Sequence, residues 1–204
     1  MEDEARVAII GGGAAGFFAA LSVAQHHPSA RVVIFEKTSK LLAKVKISGG
    51  GRCNVTHACF TPSALSKNYP RGGKQLKKAF SVFEAKDTVE WFTSKGVPLK
   101  TEADGRMFPV TNSSQSIIDC LMQEAHESGV EIKMKSPIRS IVPDGGGFLL
   151  DSIRFDKVIV ATGGSPKAEG FDWLTQLGHT ANTPVPSLFT FNIPKEPVTH
   201  LMGL

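Results

Sequence analysis

The stretch RVAIIGGGAAGFFAALSVAQHHPSARVVIFE, Arg6–Glu36, decides the fold. Arg6–Ile10 is a short β-branched run, the pattern of a buried strand. Glycines and alanines follow from Gly11 to Gly16, and then an Ala-rich helical stretch that Pro28 and Ser29 break. Arg31–Phe35 is a second buried-strand run, closed by Glu36. Strand, glycine turn, helix and strand make a βαβ unit with parallel strands and a right-handed crossover.

Within it Gly11, Gly13 and Gly16 satisfy the G-x-G-x-x-G fingerprint, and each has a separate task. Gly11 permits the tight turn out of the strand. Gly13 lets a pyrophosphate approach the backbone. Gly16 allows the helix to pack closely on the strand. The helix start, at Ala14 and Ala15, offers amide donors and a favourable dipole to the phosphates. Glu36 stands twenty positions after Gly16, at the end of the next strand and beside Lys37. A carboxylate there accepts from the adenosine ribose hydroxyls. The bland alternative is a glycine-rich turn without a ligand; the strand before and the helix after supply the context that a dinucleotide site requires. An acid rather than an arginine favours a free 2′-hydroxyl, hence FAD or NAD over NADP at this site.

The chain has 204 residues, 41% hydrophobic and 21% charged, which fits one good-sized domain or one plus part of a second. Its formal charge of +4 suits phosphate-bearing ligands. Taken over the whole chain, the excess is mild and dispersed, without a basic stripe, and nucleic acid is not expected as the partner. Cys53, Cys59 and Cys120 read as thiols of a reducing compartment. No apolar run reaches the roughly 18 residues of a membrane span. The acidic start, MEDEA, resembles neither a secretory signal nor a basic transit peptide. A cytoplasmic protein is expected, or an organellar one if a targeting segment lies outside this chain.

Beyond Glu36, residues 37–73 read as mostly irregular and 74–95 as helical. Short strands flank an Asp104-Gly105 turn. Ser113 or Ser114 caps a helix over 116–128. VEIKMK is a strand; IRSIV and FLLDSI form a hairpin around PDGGG; KVIVATGG, Lys157–Gly164, is a buried strand ending in another glycine turn. DWLTQLGH is a short helix and SLFTFNI, in the proline-rich tail, a strand. NAD-binding domains usually continue the strand–helix alternation, whereas this order suits two-dinucleotide-binding-domain flavoproteins.

KISGGGRCNVT (Lys46–Thr56), GRMFP (Gly105–Pro109) and VIVATGG (Val158–Gly164) together resemble the HI0933-like family of FAD-dependent oxidoreductases over essentially the whole chain. The chain departs from many members at His57, where they carry Asn, and in its short SPKAEGFDW segment. The resemblance implies an α/β fold: a Rossmann-like FAD/NAD(P)-binding domain with a three-layer ββα core and the start of an inserted second domain. On that basis residues 1–182 form the FAD domain, with a large helical and loop insertion over 37–128. Residues 183–204 begin a β-rich, substrate-side domain that is cut short, so the chain reads as the N-terminal portion of a protein about twice its size.

The resemblance also lays Ser48, Gly49, Gly50, Gly51, Arg52, Cys53 and Asn54 against the FAD. Three glycines expose amides without side-chain bulk, Arg52 offers a planar donor fork, and Ser48 and Asn54 fix the loop or bond the ring system. The alternative is a flexible glycine hinge with a solvated Arg52. Cys53 and Cys59 also admit a redox-pair reading, by analogy with flavin disulfide reductases. Arg106 either approaches flavin or substrate or is a solvated turn arginine. Ile138 either holds adenine through its backbone or is simply core. Ala161, Thr162, Gly163 and Gly164 lie by the cofactor phosphates in such domains. Metal-ligand spacing is absent, and no catalytic residue stands out. The function implied is electron transfer from NAD(P)H through FAD to a small organic acceptor, reduction of an activated carbon–carbon double bond being one form. A truncated flavin-binding module without turnover and a tRNA-modifying flavoprotein are the alternatives.

Overall fold

The computed structural model describes residues 4–165, 167–185 and 197. In chain order the elements are β1 (Arg6–Ile10), α1 (Ala14–His26), β2 (Arg31–Phe35), α2 (Ala43–Ile47), β3 (Thr56–His57), α3 (Pro62–Lys67), α4 (Gly73–Phe80), α5 (Ala85–Ser94), β4 (Leu99–Thr101) and β5 (Arg106–Pro109). There follow α6 (Ser114–Glu127), β6 (Glu131–Lys133), β7 (Ile141–Asp144), β8 (Gly147–Leu150), β9 (Ile153–Phe155), β10 (Lys157–Val160) and α7 (Asp172–Thr175). Two compact units result: the residues up to Leu42 with those from Glu124 onward, and Ala43–Gln123. No helix among the described residues is long and apolar enough to cross a membrane.

The first unit is built on a parallel sheet of order β10-β1-β2-β6. Four of the five residues in β1 and in β2 are buried, so both strands are apolar on both faces. Runs of this kind belong in a parallel sheet covered on each side. Ala8, Ile10, Val33 and Phe35 share one core with Leu150 and Phe155 of the antiparallel meander β7-β8-β9. There the Phe35 and Phe155 rings meet edge to face, 5.7 Å between centroids. Phe17, Ala20 and Leu21 of α1 are buried as well. A fully buried Val, Ile or Phe side chain contributes about 1.5–3 kcal/mol. The exposed Arg31–Glu131 ion pair on the same sheet contributes about 1 kcal/mol at most, so packing decides the fold of this unit.

The meander corrects one expectation. FLLDSI is not a single strand: it turns at Asp151-Ser152, whose φ angles are +44° and +78°. Leu150 pairs with Ile153, making a two-residue hairpin of the type with both central residues left-handed. Glycine or asparagine normally marks such a turn. Here the Asp151 carboxylate anchors it by accepting the amides of Arg139 and Ser140, at 3.0 and 2.8 Å.

In the second unit β3-β5-β4 form an antiparallel sheet, with the turn at Asp104-Gly105 as expected. Residues 37–73 are more ordered than the sequence suggests. They contain α2, a 3-10 turn over Ser48–Gly51, β3 and α3. The α3 helix has a local cause, since Thr61 accepts from the Ala64 amide and Pro62 opens the first turn. A break at residues 81–84 divides the expected 74–95 helix, and α5 starts on a reciprocal Glu84–Asp87 capping box. The SLFTFNI strand, and nearly all of the domain expected over 183–204, lie outside the described residues.

Candidate functional site

At the end of β1 the chain leaves the sheet through Gly11, at φ +118°. Its amide donates to Phe35 O and the Ala161 amide donates to Ile10 O, each at 2.8 Å, so the turn is held from both neighbouring strands. A Cβ on Gly11 would collide with the Ala161 carbonyl, and one on Gly16 with the Gly11 carbonyl. Both glycines are therefore required by close backbone approach. Gly13 differs: a Cβ there would meet nothing within 4 Å. It is the N-cap of α1, and no side chain caps that helix. The amides of the first turn, at Ala14 and Ala15, thus face open space with the positive end of the helix dipole behind them.

Glu36 sits beside this turn. One carboxylate oxygen accepts the Gly12 amide at 3.0 Å and the other the Thr38 amide at 2.8 Å. Burial pushes the carboxyl pKa up, but the Thr38 and Gly12 hydrogen bonds outweigh it and hold the group below its ordinary value. It stays an anion with acceptor capacity to spare on each oxygen.

A cleft of about 410 Å³ opens here, lined by Gly11, Glu36 and Lys37 on one side and by Thr162, Gly163 and Gly164 on another. Gly163 takes φ +77°, which turns the chain away after β10. Ile138 lines the cleft while packing against the core. Phe35, Ser136, Phe171 and Trp173 also line it, and sequence reasoning missed them. Trp173 carried a usable signal: it is an aromatic in a short helix just past the glycine turn, and its indole N–H donates to Gly170 O at 3.1 Å.

The second unit holds the other candidates. Gly49, Gly50 and Gly51 take φ of +55°, +67° and +84°, and Cys53 takes +63°. The run of left-handed residues curls the backbone into a tight turn, closed by the Cys53 amide donating to Ser48 O at 3.0 Å, a shape that an ordinary side chain would resist. Ser48 Oγ donates to Val45 O at 2.9 Å. The Asn54 amide, turned so that its nitrogen donates, reaches Thr56 O at 2.9 Å and Met107 O at 3.3 Å. Both side chains fix the loop.

Arg52 is paired, with about a third of its side chain (34%) still exposed. Its guanidinium bonds Glu102 at 2.5 and 3.5 Å and lies 3.9 Å from the centroid of the Phe108 ring. Arg106 also pairs with Glu102, at 3.8 Å, and with Asp104, at 2.6 Å. Both candidate arginines are therefore set in one acidic–aromatic cluster, a connection that the sequence did not reveal. Cys53 is buried, and burial pushes its thiol pKa up against a smaller opposing effect of Ser48. A redox-active thiol needs the opposite shift.

The family comparison agrees with this geometry. The HI0933-like protein Rossmann domain matches residues 5–184. A 3-dehydro-bile acid delta(4,6)-reductase of Clostridium scindens is 29% identical over 209 residues, covering 98% of this chain and 50% of its own length. A ribosomal RNA dihydrouridine synthase of Escherichia coli is 31% identical over 160 residues, 76% of this chain and 38% of its own. The chain thus spans half or less of the length of these relatives. Among solved structures, Thermovibrio ammonificans THI4 superposes with a TM-score of 0.53 at 15% identity, covering 85% of this chain and 62% of the other. The E. coli quinol fumarate reductase FrdA gives 0.57 at 16%, with 80% and 33% covered. Those two likenesses are likenesses of fold. The family model matches most of the chain, and this chain belongs to the HI0933-like protein Rossmann domain family.

Proposed function

We propose that this protein is an FAD-dependent oxidoreductase that takes electrons from NAD(P)H and reduces an activated carbon–carbon double bond in a small organic acceptor. The observation that carries the cofactor is the pairing of an uncapped helix start at Gly13 with an ionised Glu36 at the end of β2. The residues fit the group. The open space over Gly13 admits a pyrophosphate, and a Cβ would encroach on it. The amides of Ala14, Ala15 and Gly16 face the phosphates, joined by the backbone of Ala161–Gly164. Glu36 would hold the adenosine ribose, with Lys37 and Ile138 lining the same cleft. In the second unit the Ser48–Asn54 loop offers left-handed glycine backbone that a ligand can approach closely.

FAD, when bound, supplies two-electron transfer between a nicotinamide and an acceptor. The chain's own part is to bind, orient and tune. Glycine backbones allow close approach, and Arg52, locked on Glu102 and Phe108, holds the loop in shape rather than reaching for a ligand. The acceptor class is supported by the relatives' names. A delta(4,6)-reductase acts on ring double bonds, and dihydrouridine is uridine with its ring double bond saturated. Anaerobic mixing with NADH and NADPH in turn tests the reading. Bleaching of the flavin by one of them, then recovery on adding a conjugated enone, is the expected result. A bound flavin that neither nicotinamide bleaches would overturn the proposed donor.

A further inference from the structure

The net charge of +4 conceals a strong asymmetry. Between Lys37 and Phe83 there are ten Lys and Arg residues and not one Asp or Glu. The other residues hold 13 basic and 19 acidic groups, 23 less 10 and 19 less 0, a balance of −6. The positive charge is therefore concentrated, contrary to the impression the whole-chain figure gives.

Within the second unit the concentration becomes a surface. Lys74, Lys77 and Lys78 stand at i, i+3 and i+4 of α4, one face of the helix, and all three are exposed. Leu76 and Phe80, on the other side, are half-buried. Lys67 ends α3 and is exposed too. None of these four lysines makes an ion pair among the described residues. Gly73 brings the helices together, for a Cβ there would lie 2.7 Å from Ser66 O. Between them lies a trough of about 440 Å³ lined by Lys67, Lys74, Lys77 and Tyr69. Tyr69 rests on Phe80, 5.6 Å between centroids, and is still 43% exposed.

We propose that the α3–α4 hairpin is an RNA-docking surface, with Lys67, Lys74, Lys77 and Lys78 on backbone phosphates and Tyr69 as a stacking platform for an unpaired base. Unpaired lysines beside an exposed aromatic are the pairing that single-stranded nucleic acid uses. An anionic membrane is the weaker match, because the apolar side of α4 is turned inward. The inference does not rest on the flavin reading: the hairpin can bind RNA whether or not the cleft holds FAD.

The test is fluorescence anisotropy of a labelled RNA stem-loop with an unpaired loop, titrated with the whole chain over a range of KCl. With four phosphate contacts, the log–log salt slope is expected to be about −3. A Lys74→Gln/Lys77→Gln/Lys78→Gln variant should flatten it by about 2 and weaken binding at least roughly tenfold at low salt. Tyr69→Ala should weaken binding roughly tenfold with the slope unchanged. Circular dichroism and thermal melting of each variant keep misfolding apart from lost contacts, since all four positions are exposed. Binding that the triple variant leaves intact would overturn the proposal, as would no RNA binding at all. So would lysine-dependent attachment to phosphatidylserine vesicles without RNA affinity, which would make the hairpin a lipid surface. The visible spectrum of bound flavin, read on the same samples, reports the cleft separately.

Discussion

The Glu36 carboxylate accepts the Gly12 amide at 3.0 Å, so one side chain ties the end of β2 to the turn after β1. That link makes Glu36 both a structural residue and a candidate ligand for a ribose. Replacing it by Ala should weaken FAD binding about 10- to 100-fold, the range for one or two charge-assisted hydrogen bonds. Isothermal titration of apoprotein with FAD reads it directly. An unchanged affinity would remove Glu36 from the site.

The same carboxyl gives a pH dependence. Its pKa is lower in the folded protein than the ordinary value of 4.5, so it stabilises the fold fully above about that pH. The contribution is lost as pH falls through the lower, folded value. Thermal melts at descending pH should therefore show a smaller acid-limb loss in Glu36→Gln than in the parent. Parallel curves would mean that the two amide bonds contribute nothing in solution.

Gly13 and Gly16 should separate binding from folding. Gly16→Ala places a methyl on the Gly11 carbonyl and should lower the Tm by roughly 5–10 °C. Gly13→Ala meets nothing, and should melt like the parent while losing most of its FAD affinity. If Gly13→Ala binds FAD normally, the pyrophosphate does not lie over this turn.

The glycine loop offers a similar contrast. Gly49 and Gly51 are both left-handed, so alanine at either should cost about 1–2 kcal/mol. Only at Gly49 does a Cβ also meet protein, the Asn54 amide nitrogen at 2.7 Å and the Phe108 ring at 2.8 Å. Gly49→Ala should accordingly be the more destabilising of the two by chemical denaturation. Equal losses would show that the loop relaxes freely.

Thiol labelling should follow burial. Cys59 is the most accessible of the three cysteines, whereas Cys53 and Cys120 are buried. A disulfide-exchange reagent should modify Cys59 first and the other two only on unfolding. Fast labelling of Cys53 would revive the redox-pair reading.

Much of this was legible in the sequence, because strand, turn, helix and strand around Gly11–Gly16 each carry a local signal. The three-stranded meander was half legible. PDGGG announced its first turn, but Asp151-Ser152 adopts a glycine-type turn without a glycine. The Arg52–Glu102 pair was hidden because its partners are 50 positions apart, whereas Arg106 reaches the same carboxylate locally, across the expected Asp104-Gly105 turn. The lysine face of α4 was written in the sequence, but a charge averaged over the whole chain conceals it.

The most direct test of the central claim is the visible absorption spectrum of the purified chain, followed by denaturation and identification of what is released. A yellow protein that releases FAD is the predicted result, and it would show that this chain suffices to hold the cofactor. A folded but colourless protein that added FAD cannot reconstitute would contradict the account.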